Sequence, residues 1–217
     1  MYLSNKIKRK MPDFSVENRY AKRTIIGVDE VGRGPWAGPV VACAFMFTDR
    51  SLFKDILCFI QDSKKVTPKR RQILCDFFQE YAGKGCSYAI AEASVSEIDT
   101  LNIRRATFLA MTRAVEGLKV QNPMVLVDGN ALPAWSYEAI SLIKGDQISF
   151  SIAAASILAK VYRDDLMQQH AKEYPGYGWE SNAGYGTKVH QEGLAQKGVT
   201  PHHRVSFSPI KKRLASF

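Results

Sequence analysis

Two adjacent carboxylates, Asp29 and Glu30, close an apolar run (Ile25, Ile26, Val28), and a glycine-flanked arginine, Gly32-Arg33-Gly34, follows at once. Two further acids stand in comparable settings. Asp128 ends the run MVLV at 124–127, and Asp146 lies just beyond a third apolar stretch at 140–143. Any one of these acids alone is most often a solvated turn or helix-cap residue. Four brought together would repel one another unless cations neutralised them. An oxygen-rich cluster without nearby Cys or His favours Mg²⁺ or Mn²⁺ over zinc. Two such ions about 3.5–4 Å apart can activate a water and stabilise the leaving oxygen in phosphodiester cleavage. That chemistry requires the four acids to converge in space.

The turn after Glu30 has two readings. It is a poor match to a dinucleotide-binding fingerprint, because the spacing is wrong and Pro35 interrupts it, and the phosphate-loop pattern is absent. Its glycines can expose backbone groups to a ligand while Arg33 reaches a phosphate; a purely structural tight turn is the other reading. Tyr185, between Gly184 and Gly186, either packs back on the core or stacks on a sugar or base. His190, His202 and His203 are by default solvated or capping residues.

The elements that must carry these residues follow from periodicity. The runs at 25–28 and 124–127 read as strands buried on both faces, so their acids fall at the rim of a sheet, where open α/β folds place ligands. Residues 40–47 (VVACAFMF) pair with the first strand as a hairpin, 86–95 give a third strand and 140–143 a fifth. Thr67-Pro68 opens a helix continuing over 69–81, Ser94 to Glu97 can cap a short helix, and 103–118 are amphipathic. Residues 148–174 read as one long helix rich in Ala and Ser. A structured Gly- and aromatic-rich loop (175–186), a short helix (188–196) and a basic tail (201–217) complete the chain. The expected organisation is a loose basic arm (1–23), one main domain (24–174) and a C-terminal segment (175–217).

Composition narrows the partners. Thirty Lys plus Arg against 21 Asp plus Glu give a net charge of +9 over 217 residues. Such an excess suits either a solvated surface or a polyanion, and acids clustered inside a basic protein favour nucleic acid. Cys43, Cys58, Cys75 and Cys86 lack any CxxC pairing and are expected as reduced core thiols in a cytoplasmic protein. No apolar run is long enough to span a bilayer.

Several long motifs in order, GVDEVGRGPWAGPVVA, DSKKVTPKRR, VDGN, KGDQISFSIAAASILAKVYRD, GYGTKVH and HHRVSF, make the chain resemble bacterial ribonuclease HII from about residue 25 to 207. The resemblance implies a ribonuclease H-like α/β fold, a five-stranded mixed sheet flanked by helices, with a small helical C-terminal extension. It assigns Asp29, Glu30, Asp128 and Asp146 as catalytic, metal-binding carboxylates for Mg²⁺ or Mn²⁺. It places Gly32, Arg33 and Gly34 at the ribose 2′-hydroxyl and neighbouring phosphate, and Tyr185 on the adjoining deoxyribose. Ser63 and Lys64 are expected to contact phosphates. The implied substrates are RNA/DNA hybrids and duplex DNA containing ribonucleotides, cut by a monomer with no membrane association. A silent nucleic-acid-binding protein and a nucleotide-cradling enzyme are the competing classes; four acids repelling phosphates serve neither a silent binder nor, without the glycine fingerprint, a nucleotide site.

Overall fold

The computed structural model describes residues 11–60 and 66–215. Five strands form one mixed sheet in the order β3-β2-β1-β4-β5: β1 Ile25–Val31, β2 Val40–Phe47, β3 Cys86–Ala93, β4 Met124–Asp128 and β5 Glu138–Leu142. β2 runs antiparallel to β1 and to β3, whereas β4 is parallel to β1 and β5 parallel to β4. The expected hairpin and five-stranded mixed sheet are therefore present.

Helices cover both faces. On one, α4 (Ile103–Gly117) presents Ala106, Ala110 and Ala114 to Ile26, Val28, Val125 and Val127. On the other lies α5 (Phe150–Glu173), whose Ile152 meets Ile25, Met124 and Leu126, while its next turns join α2 (Pro68–Glu80) over β2. α5 sits unusually close to β1. A Cβ placed on Gly27 would lie 2.2 Å from the carbonyl carbon of Ser151, so only glycine permits this backbone approach. Thr67 caps α2 as its position before Pro68 predicts, and Ser94 forms a reciprocal capping box with Glu97 at α3 (Val95–Leu101).

Three expectations need correction. Residues 11–23 are not a loose arm: α1 (Ser15–Arg19) packs Val16 against β4 and α5. Its buried Glu17 accepts hydrogen bonds from Ser149 Oγ at 2.6 Å and from the Ser151 amide at 3.0 Å. An acid there satisfies one free amide at the start of α5, that of Ser151, and suits the positive end of the helix. Cys43, Cys75 and Cys86 are buried, but Cys58 is exposed, because it lies in a 3₁₀ turn, Leu57–Phe59, at the surface. The final segment is not merely a basic tail: α8 (Ser208–Leu214) buries Ile210 in a cluster with Tyr177, Trp179 and Leu194, from the 175–186 loop and α7 (Lys188–Lys197). That loop itself contains α6 (Trp179–Asn182). Among the described residues no helix is long and apolar enough to cross a membrane.

Candidate active site

Asp29 and Asp128 are brought together by sheet register. Val28 pairs with Val127 across the parallel β1–β4 ladder, so the next residue of each strand is an acid. Side chains alternate faces along a strand. Val28 and Val127 pack under α4, which turns Asp29 and Asp128 toward α5 and Glu30 back toward α4. Asp146 arrives differently. β5 ends at Leu142, Lys144 takes a left-handed conformation at φ 58°, and Asp146 sits in the 3₁₀ turn Gly145–Gln147 that leads into α5, not at a strand end. The Gly145 amide donates to Asp128 Oδ1 at 2.6 Å and ties this turn to β4.

Asp29, Glu30, Asp128 and Asp146 line one cavity of about 320 Å³, together with Ser156, Lys160, Arg163 and Tyr185. Burial, reinforced by the charges of Glu30 and Asp128, pushes the Asp29 carboxyl well above the usual range, against hydrogen bonds from Ser156 and the Glu30 amide. Burial also raises Glu30, opposed chiefly by Arg33, whose Nη1 lies 3.3 Å from Glu30 Oε1. Glu30 and Asp128 also border a second cavity of about 360 Å³ on the α4 side, where Arg33 and Arg104 supply positive charge. Ser63 and Lys64 lie outside the described residues.

Two buried arginines lie behind the Gly32-Arg33-Gly34 turn: Arg204 bonds the turn itself, whereas Arg163 packs beside Gly32 and bonds the segment at 37–39 and Ala183. Arg204 donates to the carbonyls of Gly32 (2.5 Å), Arg33 (3.0 Å), Gly38 (2.9 Å) and Pro39 (3.2 Å). Arg163 donates to those of Pro39 (3.1 Å), Ala37 (3.1 Å) and Ala183 (2.9 Å). Burial lowers their pKa values to about 9 for Arg204 and about 10 for Arg163, so both stay charged at neutral pH. Gly32 has φ +93°, and a Cβ there would fall 2.2 Å from Arg163 Nε.

Tyr185 is half exposed, with its ring over Gly34: a Cβ on Gly34 would meet Tyr185 Cε1 at 3.3 Å. Buried histidines hold its main chain. His203 Nδ1 accepts from the Thr200 amide at 2.9 Å, which places the His203 proton on Nε2. That N–H donates to His190 Nε2 at 3.0 Å, where Trp179 Nε1 also donates at 3.2 Å. His190 therefore carries its proton on Nδ1 and donates it to the Tyr185 carbonyl at 3.0 Å. Burial lowers both pKa values, that of His203 to about 4, in keeping with two neutral rings. Of the expected solvated or capping roles, the solvated one fails at 190 and 203, which are buried, while His203 does take a backbone amide, that of Thr200.

A signal for Ser156, Lys160 and Arg163 was available. They recur at helical spacing, i, i+4 and i+7, beginning in the Ala-rich, mostly apolar first half of the helix. No comparable signal marks Arg204, His190 or His203, whose partners are remote in sequence or set by loop geometry.

The family model for ribonuclease HII matches residues 26–210. The chain belongs to the ribonuclease HII family. It is 50% identical to the ribonuclease HII of Sphingopyxis alaskensis over 186 residues, covering 86% of this chain and 89% of that protein. The fold is similar to that of ribonuclease H2 from Pyrococcus horikoshii, with a TM-score of 0.72 at 23% identity over 89% of this chain and 98% of that one. It is also similar to Bst-RNase HIII, solved in complex with Mn²⁺, with a TM-score of 0.67 at 18% identity over 89% and 70% of the two chains. The sheet and flanking helices are thus a ribonuclease H-like fold. Ribonuclease HII activity is that of a type 2 ribonuclease H, a nucleic-acid hydrolase of a divalent-metal-dependent family. The residues around the cavity fit such an ion. The donors are carboxylate oxygens, neither Cys nor His lines the space, and the mutual repulsion of Asp29, Glu30 and Asp128 is of the kind a bound cation relieves.

Proposed function

We propose that this enzyme cuts the RNA strand of RNA/DNA hybrids, and duplex DNA holding a single ribonucleotide, on the 5′ side of the RNA–DNA junction. Hydrolysis leaves a 3′-hydroxyl and a 5′-phosphate, and the cellular role is ribonucleotide excision repair. The observation that carries this reading is four carboxylates, from three separated stretches of chain, lining one cavity beside the glycine-arginine-glycine turn and Tyr185.

Asp29, Glu30, Asp128 and Asp146 would hold Mg²⁺ or Mn²⁺; a Mn²⁺ complex of Bst-RNase HIII supports that choice. Bound divalent ions supply a water of lowered pKa and neutralise charge on the scissile phosphate and the leaving 3′-oxygen. The chain does the positioning. Gly32, Arg33 and Gly34 present backbone groups and a guanidinium to the ribose 2′-hydroxyl and its phosphate, with Arg204 fixing the turn from behind and Arg163 fixing the 37–39 segment that follows it. The 2′-hydroxyl is the group that distinguishes RNA from DNA at one nucleotide. Tyr185, its ring over Gly34, packs on the neighbouring deoxyribose and senses the junction. Ser63 and Lys64 are assigned to phosphate contacts, and residues 175–217 complete the cleft beside the catalytic domain at 24–174. The net charge of +9 favours a polyanionic substrate. We assign a monomer working in the cytoplasm.

The test is cleavage of an oligonucleotide duplex containing one ribonucleotide, with and without chelator. Cutting at the 5′ side of the junction that stops with chelator and resumes with Mg²⁺ or Mn²⁺ is expected. Equal cutting of an all-DNA duplex would refute hydroxyl sensing.

A further inference from the structure

A second set of ligating side chains lies at the far end of α5. His170 and Glu173 occupy its last turn on one face, and His202 reaches them from the loop before α8. At about 1.5 Å per residue, His170 is about 21 Å along the helix from Ser156 of the carboxylate cavity. His202 Nε2 is 3.6 Å from Glu173 Oε2, and one ligand atom from each residue lies within 4.8 Å of the others. The His170 and His202 rings lie face over face with centroids 3.8 Å apart and a 30° tilt, walled by Tyr174, whose ring lies 5.2 Å from that of His202.

We propose that His170, Glu173 and His202 form a second metal site, selective for Zn²⁺-type ions, which fastens the C-terminal extension to α5. Donors around a tetrahedral ion with bonds of about 2.0–2.2 Å are about 3.4 Å apart. The His202–Glu173 pair already lies near that spacing at 3.6 Å, and binding would turn the two imidazoles out of their face-over-face arrangement so that both in-plane lone pairs meet one ion. Two imidazoles and a carboxylate are softer than the all-oxygen cavity, so the two sites should divide metals between them. The negative end of α5 favours a cation there. Glu173 is largely exposed, which leaves the fourth position open to water. The backbone gives the site a consequence. The His202 carbonyl accepts from the Gly38 amide at 2.9 Å, and Arg204, two residues on, grips Gly32 and Arg33. An ion bound here would stabilise the segment that holds the substrate-facing turn.

The experiment uses the full chain carrying Asp29→Asn and Asp128→Asn, which removes two acids from the carboxylate cavity. Titration with Co²⁺ should give d–d absorption bands of a four-coordinate nitrogen–oxygen site, displaced by Zn²⁺ but not by Mg²⁺. Adding His202→Ala should weaken Co²⁺ affinity at least tenfold. Adding Glu173→Gln, a surface change that spares folding, should weaken it while leaving the circular dichroism spectrum unchanged. Absence of the bands, or bands and affinity that persist in both added variants, would overturn the site. Because the readout is spectroscopic and made without catalysis, it stands apart from the cleavage reading.

Discussion

Arg204 Nη1 donates to the carbonyl oxygen of Arg33 at 3.0 Å, joining residues 171 positions apart. The same guanidinium binds three further carbonyls, so the turn after the paired acids is shaped by the C-terminal extension as much as by its own glycines.

Arg204→Met should therefore destabilise the protein by about 3 kcal/mol or more, since each buried carbonyl left unmatched costs about 1–3 kcal/mol. Arg204→Lys should recover little, because an ammonium cannot reproduce the planar fork. Urea unfolding measures the loss, and KM for a duplex with one ribonucleotide should rise in both variants. A Lys variant of wild-type stability would show that the fork geometry is dispensable.

Asp29→Asn should abolish cleavage while preserving substrate binding, and Tyr185→Ala should slow junction cleavage far more than it lowers Tm. Binding is read by fluorescence anisotropy on a labelled duplex and cleavage by gel. Full activity in the Asn variant would remove the metal-holding role of Asp29.

His190→Phe deletes the donor to the Tyr185 carbonyl and the acceptor for His203 and Trp179. The expected result is a loss of about 10-fold in cleavage at a single ribonucleotide, with a smaller loss on a long hybrid. An equal loss on both substrates would mean that the histidine pair supports folding alone.

Gly27→Ala forces a methyl against the Ser151 backbone. Backbone cannot yield as a flexible side chain would, so the penalty should reach about 3 kcal/mol. A Tm within a degree or so of wild type would contradict the close β1–α5 approach.

Glu97 offers a pH signature away from the carboxylate cavity. Hydrogen bonds from Arg113 and the Ser94 amide pull its carboxyl down to about 2 from an ordinary 4.5. A depressed carboxylate contributes stability that is complete above about pH 4.5 and disappears as pH falls through 2. The pair is partly exposed and screened, so Glu97→Gln should cost under about 1 kcal/mol at neutral pH. The gap in urea midpoint between variant and wild type should narrow from pH 4.5 downward. A gap that holds constant to pH 2.5 would exclude the ion pair as its source.

The sequence alone determined the strands, most helices, the cap at Thr67, the capping box at Ser94 and the four candidate acids, because periodicity, capping chemistry and turn residues act over a few positions. Asp29 and Asp128 were legible for the same reason, each being the residue that follows an apolar run, although β1 continues two residues past Asp29. Asp146 was legible as an acid after a strand but not in its true setting, since a left-handed residue and a 3₁₀ turn intervene. The packed helix at 15–19, the exposed Cys58, the neutral His190–His203 pair and the Arg163–Arg204 clamp were decided only by tertiary structure. In each of the buried cases a polar side chain is out of water because partners many residues away, or a loop folded back on itself, satisfy it, and local sequence carries no record of such pairings.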